Sequence, residues 1–235
     1  TASLNLHSVS GDPQATGRQE IAALVALLNN KGDDLRLGDS SAGSIQPTAT
    51  LTGSTDTAEA MKISAAGRLS LFRDRAAAPA LAERLQDSSR EVRAAAALAL
   101  AACGTRDSVP PLLDALADRD AVVAQAAAVA LENLTGHAEP FQPFVAADRR
   151  QTQADAWRAW FQAHAWETIE AALIQQMAAE DRALSRRAIV ALGHVGGDAG
   201  RAAIREFVAR EQGENPYPPF ENHNRTDSFT YPAAS

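Results

Sequence analysis

The stretch Ala78-Pro-Ala-Leu-Ala-Glu-Arg-Leu-Gln-Asp87 runs into Ser88-Ser-Arg-Glu-Val-Arg-Ala-Ala-Ala-Ala-Leu-Ala-Leu-Ala-Ala-Cys103. It returns downstream as Val109-Pro-Pro-Leu-Leu-Asp-Ala-Leu-Ala-Asp118 and Arg119-Asp-Ala-Val-Val-Ala-Gln-Ala-Ala-Ala-Val-Ala-Leu-Glu-Asn-Leu134. Pro79 falls on Pro110, Leu81 on Leu112, Leu85 on Leu116, Asp87 on Asp118, Val92 on Val123 and Leu100 on Leu131. A fixed internal period of this kind is the mark of a repeat architecture. Each copy predicts a helix pair. The proline suits the first turn of a helix A, where its missing N–H is not needed. Leucines four apart form that helix's apolar stripe. The Asp then makes a tight turn and can cap helix B. The alanines of helix B allow close helix–helix approach.

The period extends outward in both directions. Leu184, Arg187, Ala188, Ala191, Leu192, Val195 and Gly196 fit helix B again, with residues 166–179 as its helix A. Upstream, Met61, Ala65, Leu69 and Phe72 fit another helix B, preceded by a helix A at 18–29. A last helix is predicted at 198–211. Two insertions interrupt the series: a Gly/Asp/Ser/Thr-rich loop at 30–56, and residues 135–165. The second contains Pro140, Pro143 and a helix whose Trp157, Trp160 and Phe161 share one face. The chain therefore divides into an N-terminal arm at 1–17, a repeat region at 18–212 and a C-terminal arm at 213–235. The fold class is all-α, a solenoid of about four helix pairs.

This pattern resembles the HEAT-like repeats, in particular the short bacterial type found in phycobilisome lyases. The carrying residues are Pro79-Ala-Leu81, Leu85, Asp87, Val92-Arg93, Ala95-Ala96, Ala99-Leu100 and Gly104. The Leu134-Thr135-Gly136 element before the Trp157-x-x-Trp160 helix is also similar to an insert in HEAT-repeat proteins of environmental bacteria. The resemblance implies an α-solenoid scaffold and no particular activity.

Composition narrows the function classes. A net charge of −7 argues against nucleic acid as a partner, since phosphate binding needs a basic face. No run is long and apolar enough for a membrane span. Cys103 is the single cysteine, which excludes a disulfide framework or a multi-cysteine metal site. It occupies the core position held by Leu134 and Val195 and reads as a small buried hydrophobe. The five histidines, His7, His137, His164, His194 and His223, offer no helical metal pair. His194, at the end of a helix B, reads as a cation or cap at the helix C-terminus. The chain lacks the His-Glu dipeptides of the helical-repeat hydroxylases. Arg84, Arg90, Arg93, Arg119, Asp114 and Asp118 read as solvated surface charges. No cofactor or catalytic residue is predicted. The start at Thr1 rather than Met is what removal of a leader would leave, so a periplasmic or secreted location is expected slightly ahead of the cytoplasm.

The expected function is that of a non-catalytic protein-binding or scaffold module, an accessory or structural subunit of a larger bacterial assembly. Its contact elements are expected to be aromatic: Tyr217, Phe220, Phe229 and Tyr231 in the proline-rich tail, and Trp157 and Trp160 in the insert. The tail is read as an extended arm that docks on the solenoid's own groove or on a partner subunit. The insert tryptophans either plug a seam of the solenoid or receive a partner. A tetrapyrrole-handling lyase or isomerase using His137 or Cys103, and a regulatory sensor module of a longer chain, are the alternatives.

Overall fold

The computed structural model describes residues 13–29 and 54–213. Ten α-helices make up these residues: α1 (Pro13–Asn29), α2 (Ser54–Phe72), α3 (Ala78–Arg84), α4 (Arg90–Cys103), α5 (Val109–Ala115), α6 (Ala121–Thr135), α7 (Ala147–Ala163), α8 (Trp166–Met177), α9 (Arg182–Val195) and α10 (Asp198–Gly213). Helices α1/α2, α3/α4, α5/α6 and α8/α9 are the four pairs, with α10 packed on α8 and α9. The protein is an all-α solenoid, as the repeat predicts. Four boundaries differ from expectation: residues 13–17 belong to α1 rather than to the arm, 54–56 to α2 rather than to the loop, Thr135 to α6 rather than to the insertion, and Gly213 to α10 rather than to the C-terminal arm. Each belongs to a continuous helix, α1 opening at Pro13 and α2 at Ser54. The remaining residues of both arms and of the 30–56 loop lie outside the described residues.

The second helices of the pairs form an unbroken row, α2 on α4, α4 on α6, and α6 on α9. Small residues permit this. Ala96, Ala97 and Ala99 in α4, and Ala126, Ala127 and Ala130 in α6, are all buried between neighbours. Leu81 and Leu85 in the first layer, and Leu112 and Leu116 one repeat on, close the core against them. Helix α7 packs on α5, in the first-helix layer. Arg158 donates to the Leu113 carbonyl at 3.2 Å, and Arg150 to the Arg119 carbonyl at 3.4 Å. The insert thus sits on the layer of first helices and leaves the row of second helices continuous from α6 to α9.

The helix starts correct the reading of the turn aspartates. The side chains that cap are Ser89, accepting from the Val92 N–H at 3.2 Å, Asp120 from Val122 at 2.9 Å, and Asp181 from Ala183 at 2.8 Å. Asp87 and Asp118 instead bind the backbone N–H two residues on, at 3.1 and 2.8 Å, and fix the turn. Their other oxygens reach back to the preceding second helix. Lys62 Nζ donates to Asp87 at 2.9 Å. One repeat later Arg93 takes the same place, its Nε and Nη2 on the two Asp118 oxygens at 2.8 and 3.0 Å. Arg93 and Asp118 are therefore not solvated charges. Arg93 is only 5% exposed, and Nη1 also donates to the Asp87 and Ser88 carbonyls. These two cations lock α2 and α4 each to the turn of the next pair.

Gly136 ends α6 in the left-handed region at φ 68°. A Cβ there would lie 2.4 Å from Leu173 Cδ2, a side chain buried between α6 and α8. Gly136→Ala is expected to cost about 2–3 kcal/mol, combining the backbone penalty with overpacking. A thermal melt checks it: the melting temperature should fall by about 4–12 °C, and one within about 2 °C of wild type would show that Leu173 yields.

Candidate protein-docking face

The outer surface of the second-helix row carries one feature that the repeat makes regular. Leu98 in α4, Val129 in α6 and Val190 in α9 occupy the same position of the repeat. They are 54%, 42% and 41% exposed. Their neighbours on the inward side, Ala97, Ala128 and Ile189, pack in or against the core. Stacked helices lie about 8–10 Å apart, so the three side chains make a stripe across three helices. In α2 the equivalent position is Gly67, whose Cα faces open space.

One turn further along each helix the stripe opens into a cleft of about 430 Å³. Its walls are Ala101, Ala102 and Cys103 of α4, Asn133 of α6, Ile189, Val190, Gly193 and His194 of α9, and Arg73 and Arg75 from the turn after α2. Arg73 holds a positive φ of 52°, which is strained for a residue with a Cβ. Arg75 donates to the Gly193 carbonyl and ties the α2–α3 turn to the end of α9. His194 Nδ1 lies 3.3 Å from the Gly104 carbonyl. Burial above all holds the His194 imidazole below its ordinary range, and Arg73 and Arg75 push the same way. The cleft wall thus disfavours the helix-end cation that the position of His194 suggested.

Cys103 is buried, as its repeat position predicts, and burial pushes its thiol up to about 12. Its Sγ donates to the Ala99 carbonyl at 3.1 Å. That is the environment of a packing thiol; reactive cysteines sit where the thiolate is favoured.

The two insert tryptophans part company. Trp157 is 0% exposed and plugs the space between the insert and the core. Trp160 is half-buried and stacks on His137 with ring centroids 3.8 Å apart, and on His164 at 5.2 Å. His137 also sets its edge to Trp157 at 5.2 Å and pairs with Glu139 at 3.1 Å. Of the two rings, only Trp160 reaches the surface. Tyr217, Phe220, Phe229 and Tyr231 lie outside the described residues.

Sequence reasoning missed two arrangements. One is the exposed stripe, for which the aligned positions of Leu98, Val129 and Val190 were the available signal. The other is a clasp around Arg106. Its Nη2 donates to Glu170 at 2.8 Å, its Nε donates to the Val195 carbonyl at 2.6 Å, and its guanidinium lies over the Trp166 ring at 5.1 Å. The other Glu170 oxygen accepts the Gly197 and Gly200 N–H groups at 2.8 and 2.7 Å. Burial alone would raise the Glu170 carboxyl, but those backbone donors and Arg106 outweigh it and hold the group below its usual range. The clasp fastens α8, α9 and α10 to the third pair, across the point where the insert leaves the chain.

Among the described residues no group of three His, Cys, Asp or Glu is placed to hold a metal ion. No helix among them is long and apolar enough to cross a membrane. Residues 49–132 match a family model described as HEAT repeats. The array that includes them is HEAT-like, in agreement with the repeat read from the sequence. No curated protein matches the chain.

Proposed function

We propose that this protein is a non-catalytic binding module that holds a partner protein on the face formed by α4, α6 and α9, as an accessory subunit of a larger bacterial assembly. The observation that carries the reading is the stripe of Leu98, Val129 and Val190. Single exposed hydrophobes are ordinary on any surface, but a set aligned at one repeat position on three neighbouring helices supports an interaction site. Solenoids use such extended faces for macromolecular partners, and HEAT repeats commonly mediate protein–protein contact. The adjoining cleft supplies arginines at its rim and a histidine in its wall, which suits an apolar segment with a nearby acidic group. The buried, raised thiol of Cys103 and the stacking of the His137 ring against Trp160 favour this reading over tetrapyrrole chemistry at either residue.

The test is purification of the protein from its native cell, followed by mass spectrometry of co-eluting chains, in parallel with Leu98→Asp/Val129→Asp/Val190→Asp. These side chains are already exposed, so the fold should tolerate the changes. A stoichiometric partner is expected with the wild type, and its affinity should fall at least about 100-fold in the variant, since each buried apolar side chain contributes about 1.5–3 kcal/mol. A partner retained equally by both proteins would place the docking surface elsewhere.

A further inference from the structure

We propose that the cleft at the ends of α4, α6 and α9 receives an Asp or Glu side chain of the partner protein, with Arg73 as the residue that holds its carboxylate. The inference rests on the docking reading above and names the chemistry that the bound segment must carry, a side-chain carboxylate beside apolar residues.

Three observations carry it. The first is where Arg73 stands in the repeat. It follows the buried Leu69 by four residues, as Gly104 follows Leu100 at the end of α4 and Gly196 follows Leu192 at the end of α9. Where those two helices place glycine, α2 is followed by an arginine in the left-handed region, at φ 52°. That conformation is costly for a residue with a Cβ. No contact within the fold compensates it, because among the described residues the exposed Arg73 side chain makes no hydrogen bond or ion pair. Backbone strain held in this way points to a function.

The second observation is charge. Arg73 and Arg75 line the cleft, and among the described residues no Asp or Glu does. The acids next to the lining in sequence are Asp74 and Glu132. Asp74 accepts the Ala76 N–H at 2.8 Å and caps the turn, and Glu132 acts on His137. Two arginines against Asp74 leave the turn positive. The third observation is which donors are already committed. Arg75 donates to the Gly193 carbonyl, Asn133 Nδ2 to the Ala101 carbonyl at 3.4 Å, and His194 Nδ1 lies 3.3 Å from the Gly104 carbonyl. These three serve helix-end carbonyls, which leaves Arg73 as the spare donor of the cleft. Ala101, Ala102, Ile189 and Val190 supply apolar wall beside it, and Val190 continues into the stripe. The C-terminal ends of α4, α6 and α9 bring partial negative charge to the same place. They suit a singly charged carboxylate better than a phosphate dianion, and a guanidinium pairs with a carboxylate in a fixed fork.

The test is selection of random peptides on the full chain, from a display library without free C-termini, followed by affinity measurement with the best peptide. The selected sequences are expected to carry an Asp or Glu flanked by apolar residues. Changing that acid to its amide should weaken binding at least about 10-fold. Arg73→Gln should weaken the acidic peptide equally and leave the amide peptide unaffected, the signature of one direct pair. Arg73→Gly should lose the same affinity yet raise the melting temperature by about 1–4 °C, because it relaxes the backbone. A fall in melting temperature would make Arg73 a support of the fold and overturn the inference. So would an acid preference that survives Arg73→Gln, or binding only from a library with free C-termini, which would assign the cleft to chain ends. Apolar peptides selected without an acid, and lost on Leu98→Asp/Val129→Asp, overturn the inference and leave the docking face standing. Acidic peptides that need Arg73 but ignore Leu98→Asp/Val129→Asp overturn the docking reading alone. A library that yields no binder overturns both.

Discussion

Replacing Arg93 by alanine is expected to destabilise the fold by about 3–5 kcal/mol, the usual cost of removing one partner of a buried ion pair. Arg93 makes two bonds to the Asp118 carboxylate and two to the carbonyls of Asp87 and Ser88. Without it the Asp118 carboxylate keeps only the Asp120 N–H at 2.8 Å, in a site where its side chain is largely covered. The turn between α5 and α6 then loses its tie to α4. In a domain of this size the melting temperature should fall on the order of 10 °C. Lys62→Ala, at the same place one repeat earlier, is the control. Lys62 makes a single contact to Asp87 and is more exposed, so a loss of about 1 kcal/mol is expected. Equal, small losses at both positions would mean that the two ion pairs only decorate the surface.

Trp157→Ala is expected to cost a similar amount, about 3–5 kcal/mol, because it empties a fully enclosed site. The loss should be local as well as global. Trp157 holds His137 and Trp160 edge-on, at 5.2 and 6.0 Å, so removing it frees the segment before α7. Limited proteolysis should cut within 137–146 well before the repeat helices. Trp157→Phe should cost less than half as much. Among the described residues the indole Nε1 has no hydrogen-bond partner, so phenylalanine forfeits volume but no polar contact. A docking tryptophan would behave in the opposite way, with its replacement leaving stability intact.

The helix pairs were legible because the repeat writes them twice in nearly the same letters. Pro79, Leu81 and Leu85 foretell α3, and the alanines of α4 foretell its close contacts. Burial of the charges was not legible. Arg93 reads as a solvated residue until Asp118 is known to fold back over it, and nothing local to either residue says so. The Arg106–Glu170 clasp joins positions in different repeats, at a junction the periodicity does not describe. For the site, aromatics drew attention to Trp157 and Trp160, yet an alanine-rich helix hides its outward residues differently. On α4, Leu98 and Leu100 look alike in sequence, and only the stack shows that one faces out and the other in. His194 illustrates the same point electrostatically. Its helix-end position favours a cation, but burial and two arginines in the folded cleft favour the neutral ring.

The docking face can be tested most directly by placing a photoreactive amino acid at position 129, in the protein expressed in its native cell, with position 208 on α10 as the control. Val129 and Val208 are comparably exposed, at 42% and 45%, but only the first lies on the stripe. Cross-links from position 129 to a second protein, with none from position 208, are the expected result. Cross-links to that protein from position 208 alone, or from both positions equally, would contradict a docking face on α4, α6 and α9.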